Sequence, residues 1–407
     1  MKVYISGISG TGMGPLALMA KKAGHEVCGS DLSKGAVFEE LEKAGIEVKI
    51  GKQDGKFLQK KLKEGGVDWF VYTSALSEDH PELVIAREAG IKCTKRDDFT
   101  AYLVDALGLR MVAVAGTHGK TTTAAMIVYV ARKAKLPVSY IVGTTLGFAP
   151  SGAYHKRDEY FVYEADEYDR NFLKFYPWLA VIPSVSYDHP DIYPTKRAYT
   201  EAFKKFKAQS RRVIEEGIYE KEFTLAGAER RKDAGLAAAA LVAMAPRISR
   251  EEVKYLLNKF PGVGRRFERI APGVYSDYAH HPEEIAATMD VAKDEAERLK
   301  KKGVVVVYQP HQNTRQHEVR DGYKKAFVGA DKIYWLPTYL TREDPKLKVL
   351  TPEELIKGLE NAEIAEAAEP DSGLAKKLRK FVEDGYLVIM MTAGPADGWL
   401  REVFSNN

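Results

Sequence analysis

The chain has 407 residues, 45% hydrophobic and 29% charged, which is enough material for two to four domains with cores of their own. Its 61 Lys and Arg against 57 Asp and Glu leave a net charge of +4, too small an excess to point to nucleic acid or a membrane surface as partner. Cys28 and Cys93 make neither a disulfide framework nor a metal cluster. With no signal-peptide pattern in MKVYISGISG and no run of about 18 apolar residues, the expected location is the cytoplasm.

Short apolar runs alternate with helical patterns, which predicts an α/β chain with largely parallel sheets. The first segment is expected over residues 1–107, with strands at Val3–Ser6, Glu26–Gly29 and Trp69–Thr73. A second, over 108–260, holds Met111–Ala115, Ser139–Val142, Tyr160–Glu164 and Leu179–Ile182. A third, over 261–407, holds Val304–Tyr308, Lys332–Leu336 and Leu387–Met391. The joins fall at Ala106–Arg110 and Phe260–Gly264.

The first strand runs into Gly7-Ile8-Ser9-Gly10-Thr11-Gly12-Met13-Gly14, which opens a helical pattern. Glycines let backbone N–H groups approach a phosphate, and a helix N-terminus favours negative charge. The next strand leads to Asp31, where an acid can meet a ribose hydroxyl. The loop departs from a dinucleotide fingerprint, because Pro15 stands at the third glycine position. A tight turn with no ligand, or NAD binding, fits this loop taken alone.

A second loop, Gly116-Thr117-His118-Gly119-Lys120-Thr121-Thr122-Thr123, follows the strand MVAVA and is a stronger signal. Lys120 is placed to reach the β/γ-phosphates of a triphosphate and Thr121 to ligate Mg²⁺, although the usual first glycine of such a loop is Val114 here. Two nucleotide loops in succession suggest ATP-driven activation of a substrate bound elsewhere.

Glu164-Ala165-Asp166-Glu167-Tyr168-Asp169 puts four acids at a strand end, a candidate Mg²⁺ site competing with a solvated acidic turn. Asp188-His189-Pro190-Asp191 follows a neighbouring strand, where open α/β sheets hold ligands. Farther on, Arg265-Arg266-Phe267-Glu268, Asp277-Tyr278-Ala279-His280-His281-Pro282 and Pro310-His311-Gln312-Asn313-Thr314-Arg315 bring arginines suited to carboxylates and phosphates.

Taken together, GISGTGMG, AGTHGKTTT, EADEYD, DHPDIY, GVGRRFE, DYAHHPEEIAATM and QPHQNTR resemble the Mur ligase family in order and over nearly the whole chain. The resemblance implies three domains: a Rossmann-like N-terminal domain, a central P-loop ATPase domain, shortened here, and a Rossmann-like C-terminal domain. It implies that ATP phosphorylates the lactyl carboxylate of UDP-N-acetylmuramate and that L-alanine then attacks the acyl phosphate, in peptidoglycan precursor synthesis. ATP and Mg²⁺ or Mn²⁺ would be required, the partners would be small molecules, and the enzyme would be a monomer or homodimer. A ligase that attaches a recycled peptide to the same sugar, and a homologue that binds the nucleotide without catalysis, are the alternatives.

Carried over by position, Gly10, Thr11, Gly12, Met13, Asp31 and Ser74 would line the UDP-sugar pocket. Gly116, Thr117, His118, Gly119, Lys120, Thr121 and Thr122, with Arg266 and Asp277, would bind ATP. Thr121, Glu164 and His189 would hold metal; Lys120, Glu164 and His189 are the catalytic candidates; Tyr278, His311 and Arg315 would surround the amino acid. The family's Asn-Ile-Glu before Asp-His is replaced by Ser184-Val185-Ser186, and its His-Asn motif by Gly227-Ala228-Glu229-Arg230. Between Asp188 and Gly227 the expectation is one helix, about Lys196–Ser210, no added strand, and Glu229 and Arg230 beside the ATP base.

Overall fold

The computed structural model describes residues 1–73, 76–189, 192–341 and 343–405. Ser74, and Pro190 and Asp191 of the Asp-His-Pro-Asp run, lie outside the described residues. The chain forms two compact units, residues 1–223 with 232–261 and residues 224–231 with 262–407.

The first unit carries two sheets. Strands β1 (Lys2–Ser6), β2 (Glu26–Asp31), β3 (Glu47–Ile50), β4 (Trp69–Tyr72) and β5 (Lys92–Lys95) pair in parallel in the order β3-β2-β1-β4-β5. The order reverses between β1 and β4, so a crevice opens beyond the carboxyl ends of these strands, where the first glycine loop lies. β1 is central and buried on both faces: Val3 and Ile5 join one core, while Tyr4 stacks on Phe70 in another.

The second sheet holds β6 (Arg110–Val114), β7 (Val138–Ile141), β8 (Gly152–Ala153), β9 (Tyr160–Glu164), β10 (Leu179–Val181) and β11 (Val213–Ile214), in the order β11-β10-β6-β9-β7-β8. All pairs are parallel except β7 with β8. The helix Lys196–Gln209 forms as expected, capped by the Thr195 side chain, but a strand follows it. Val213 and Ile214 pair with Ala180 and Val181 and extend the sheet, correcting the expectation of no added strand. Two residues of half-exposed edge carry too little alternation to be read from sequence.

One apolar core runs through both sheets, joining Val3, Ile5 and Leu103 to Met111, Ala113 and Phe161 through Leu109. Leu107 and Leu109 anchor the join at Ala106–Arg110 to this core, while Ala106, Gly108 and Arg110 are exposed. Beside it the helix Gly14–Lys22 lies on β8 so closely that a Cβ on Gly152 would stand 2.1 Å from the Pro15 carbonyl oxygen. Ser151 donates from both N and Oγ to Glu40 across the same junction, at 2.9 and 3.0 Å.

The second unit is built on β12 (Glu268–Ala271), β13 (Val274–Asp277), β14 (Val304–Gln309), β15 (Lys332–Trp335), β16 (Ala365–Ala367) and β17 (Leu387–Thr392). Their order is β12-β13-β17-β14-β15-β16, parallel except for β12 with β13. Apolar layers cover both faces: Ile285, Met289 and Trp335 on one, Leu374, Leu378 and Leu400 on the other. Among the described residues no helix is long and apolar enough to cross a membrane.

Candidate active site

The phosphate loop follows β6 at the centre of the second sheet. Gly119 adopts φ +82°, and the helix Lys120–Lys133 starts immediately after it. Both flanking glycines are forced by close approach. A Cβ on Gly116 would meet the Ser184 carbonyl oxygen at 2.6 Å, and one on Gly119 would meet Asp233 Oδ1 at 2.5 Å.

The altered Ser184 and Ser186 are built into this loop. Thr117 N donates to Ser184 O at 3.0 Å and His118 N to Ser184 Oγ at 2.8 Å. Thr117 Oγ1 donates to Ser186 O at 2.7 Å, and Tyr199 Oη lies 2.7 Å from the same hydroxyl. The Ser184 hydroxyl and the backbone of both serines therefore hold the turn.

Two polar pairs bracket the start of the helix. Thr121 Oγ1 donates to Glu164 Oε2 at 2.8 Å, and Gly143 N donates to Glu164 Oε1 at 2.8 Å. Lys120 Nζ donates to Glu167 Oε2 at 2.8 Å and Oε1 at 3.1 Å. His189 faces Glu167 as well, with Nε2 3.7 Å from Oε1 and 3.6 Å from Asp188 Oδ2. Glu164 and His189, expected to hold one metal, thus contact different partners, and Glu167 is the acid that joins His189 to Lys120.

Burial pulls the Lys120 pKa down, but the Glu167 and Asp166 charges outweigh it and hold the ammonium above its ordinary value. His189 likewise titrates above the usual imidazole range because Glu167 and Asp188 outweigh burial. Asp166 is pushed up by burial and by the Glu167 charge.

The sequence did not single out Glu167, and it left Asp233 and Tyr193 without a role. Tyr193 Oη donates to the Glu167 backbone oxygen at 2.6 Å, and Thr123 Oγ1 donates to Asp233 at 3.1 Å. The acidic run flagged Glu167, but four neighbouring acids left the choice to the chain's path. Asp233 stands inside a helical pattern with no local signal. The Thr121 hydroxyl and the Glu164 carboxylate suit a hard divalent ion such as Mg²⁺, whereas the His189 imidazole is a softer ligand.

In the first sheet, Gly7 has φ +79° and donates from N to Ser30 O. Asp31 accepts from Ser9 N at 2.8 Å and Leu32 N at 2.7 Å, so it fastens the glycine loop to β2. Gly14 performs the close packing expected of a third glycine: a Cβ there would stand 2.1 Å from Val37 Cγ2. Gly10, Thr11 and Gly12 form the turn, whereas the Met13 side chain is buried in the core, which leaves its backbone for any ligand.

In the second unit Arg266, Asp277 and Tyr278 meet at the end of β13. Asp277 accepts from Phe267 N at 2.6 Å and Ala279 N at 2.8 Å, and burial raises its pKa against the Arg266 charge. Arg265 and Arg266 lie over the Tyr278 ring at 4.6 and 5.2 Å. His280 adjoins Tyr278 and His311, and His311 adjoins Tyr339. Arg315 follows on the helix Asn313–Val319. Glu229 and Arg230 belong to this unit. Gly227 N donates to Asp294 there, and the Arg230 charge acts on Glu295.

Six non-glycine residues with left-handed backbone, Asp169, Arg170, His189, Arg265, Phe267 and Gln312, fall within or beside these clusters. Such strain persists only where surroundings enforce it, and it concentrates at functional sites.

Comparison with known proteins agrees with this layout. Residues 2–106 match the model described as Mur ligase family, catalytic domain, residues 114–217 the Mur ligase middle domain, and residues 265–394 the Mur ligase, glutamate ligase domain. The UDP-N-acetylmuramate–L-alanine ligase of Clostridium tetani is 31% identical over 396 residues, covering 84% of both chains. That of Carboxydothermus hydrogenoformans is 31% identical over 451 residues, covering 97% of this chain and 94% of its own. In fold, the UDP-N-acetylmuramate–alanine ligase of Thermotoga maritima matches 100% of this chain and 98% of its own, with TM-score 0.78 and 22% identity. A murein peptide ligase from Psychrobacter arcticus gives TM-score 0.66 at 22% identity. With three family models matched in order and relatives alike over almost their full length, the chain belongs to the Mur ligase family.

Proposed function

We propose that this protein joins L-alanine to the lactyl carboxylate of UDP-N-acetylmuramate at the expense of ATP. The observation that carries the reading is the pair of contacts flanking the phosphate loop, Lys120 with Glu167 and Thr121 with Glu164. A carboxylate is a poor electrophile, and phosphorylation gives it a leaving group. The protein's task is to position reactants and offset charge.

In this reading Lys120 turns its ammonium from Glu167 to the transferring phosphoryl group. Thr121 and Glu164, with His189 assigned by position, would hold Mg²⁺ or Mn²⁺, which would offset phosphate charge. Gly10, Gly12 and Asp31 frame the sugar nucleotide, with Ser74 assigned by position alone. Arg266 and Asp277 serve ATP; Tyr278, His311 and Arg315 receive the amino acid. Division into domains at 107/108 and 260/261 belongs to the same proposal, as do small-molecule partners and a monomeric or homodimeric state. The hydrogen bonds made by Ser184 and Ser186 favour a working loop over a degenerate binder. Phosphate release that requires ATP, Mg²⁺, UDP-N-acetylmuramate and L-alanine together is the test, and ligand binding without turnover would refute it.

A further inference from the structure

The helix Arg96–Ala106 begins where the two sheets of the first unit meet. Arg96 is three-quarters buried there, with 24% of its side chain exposed. One edge of its guanidinium is committed to Asp97: Nε to Oδ2 at 3.3 Å, and Nη2 to both oxygens at 3.2 Å. Asp97 is itself 2% exposed and accepts the Tyr163 hydroxyl from β9, so the arginine is fixed to the second sheet. Nη2 also lies 3.9 Å from Asp166 Oδ2, next to the acid that holds Lys120.

The other nitrogen, Nη1, points to the first glycine loop. A Cβ on Gly12 would stand 2.7 Å from it, and among the described residues it has no hydrogen-bond acceptor. Just beyond, the helix Gly14–Lys22 begins, and its N-terminus favours an anion. A half-used arginine fork aimed at a glycine turn and a helix N-terminus is suited to phosphate oxygens.

We propose that Arg96 is a specificity-determining residue that binds the diphosphate of the sugar nucleotide through Nη1. Its Asp97 edge sets that diphosphate at a fixed distance from the phosphoryl-transfer site. This rests on the ligase reading above.

The test compares UDP with uridine as titrants, since they differ only in the diphosphate. Arg96→Gln should weaken UDP binding about 10- to 100-fold, the range of a lost hydrogen bond to a charged group. Uridine binding, and in turnover the KM for ATP, should stay within about twofold. Arg96→Lys keeps the charge beside Asp97, so it should melt near wild type and still lose UDP affinity, because ammonium cannot hold both partners. Equal losses for UDP and uridine, or unchanged UDP affinity in both variants, would overturn the assignment. A wild-type protein that binds neither UDP nor UDP-N-acetylmuramate would instead overturn the ligase reading on which it stands.

Discussion

Glu167→Gln should destabilise the protein and tighten its grip on ATP at the same time. The carboxylate is 1% exposed and sits 2.8 and 3.1 Å from Lys120 Nζ. Burial opposes its charge, but Lys120 and His189 outweigh that and hold it below its ordinary pKa. With a depressed folded pKa, its stabilisation is present above the unfolded value of about 4.3 and is lost as pH falls through the folded value. Breaking one side of a buried pair costs about 3–5 kcal/mol. Since 19% of the Lys120 side chain reaches solvent and glutamine keeps an acceptor, a loss of about 3 kcal/mol is expected at pH 7. Nucleotide binding responds oppositely. A γ-phosphate that accepts from Nζ would stand about 5 Å from Glu167, where like unit charges repel by roughly 3 kcal/mol at an effective dielectric near 20. After screening by solvent and Mg²⁺, about tenfold tighter binding of a non-hydrolysable ATP analogue is expected. Urea unfolding at pH 7 and near pH 3.5, with calorimetric titration of the analogue, reads both effects. An unchanged unfolding midpoint at pH 7, a stability gap that does not narrow in acid, or weaker nucleotide binding would refute this account of Lys120.

Lys120→Ala should abolish ligation and leave UDP-sugar affinity within about twofold, because the lysine and the first glycine loop serve different sheets; turnover near wild type would refute the loop assignment. Glu164→Gln and His189→Ala should each raise the Mg²⁺ concentration needed for half-maximal rate, and metal titrations that overlay wild type in both would count against those ligands. Gly152→Ala should cost about 1–3 kcal/mol by forcing the helix Gly14–Lys22 off β8, because its Cβ would meet the Pro15 carbonyl at 2.1 Å. A melting midpoint equal to wild type would show that this junction yields freely.

The phosphate loop was legible because strand, glycine turn, GKT and helix are consecutive, and each step has a local cause. The central strands β1, β6, β14 and β17 announced themselves by apolar runs. Edge strands did not: β3 (EVKI) alternates polar and apolar residues but over only four positions, and β5 (KCTK) has neither a run nor an alternation. Acids within one run could not be assigned from order alone. Whether Glu164 or Glu167 meets Lys120 depends on how the chain turns after β9, where Asp169 and Arg170 take left-handed backbone. Likewise the path of residues 224–231 into the second unit is set by Gly227 against Val291 and Asp294, contacts across more than sixty positions.

The most direct test of the central claim is phosphate release with UDP-N-acetylmuramate, ATP and Mg²⁺ across a panel of amino acids and short peptides. The account predicts release dependent on L-alanine, with a ligated UDP-sugar product in equal amount. Release driven by a peptide and not by L-alanine, or none with any acceptor, would contradict it.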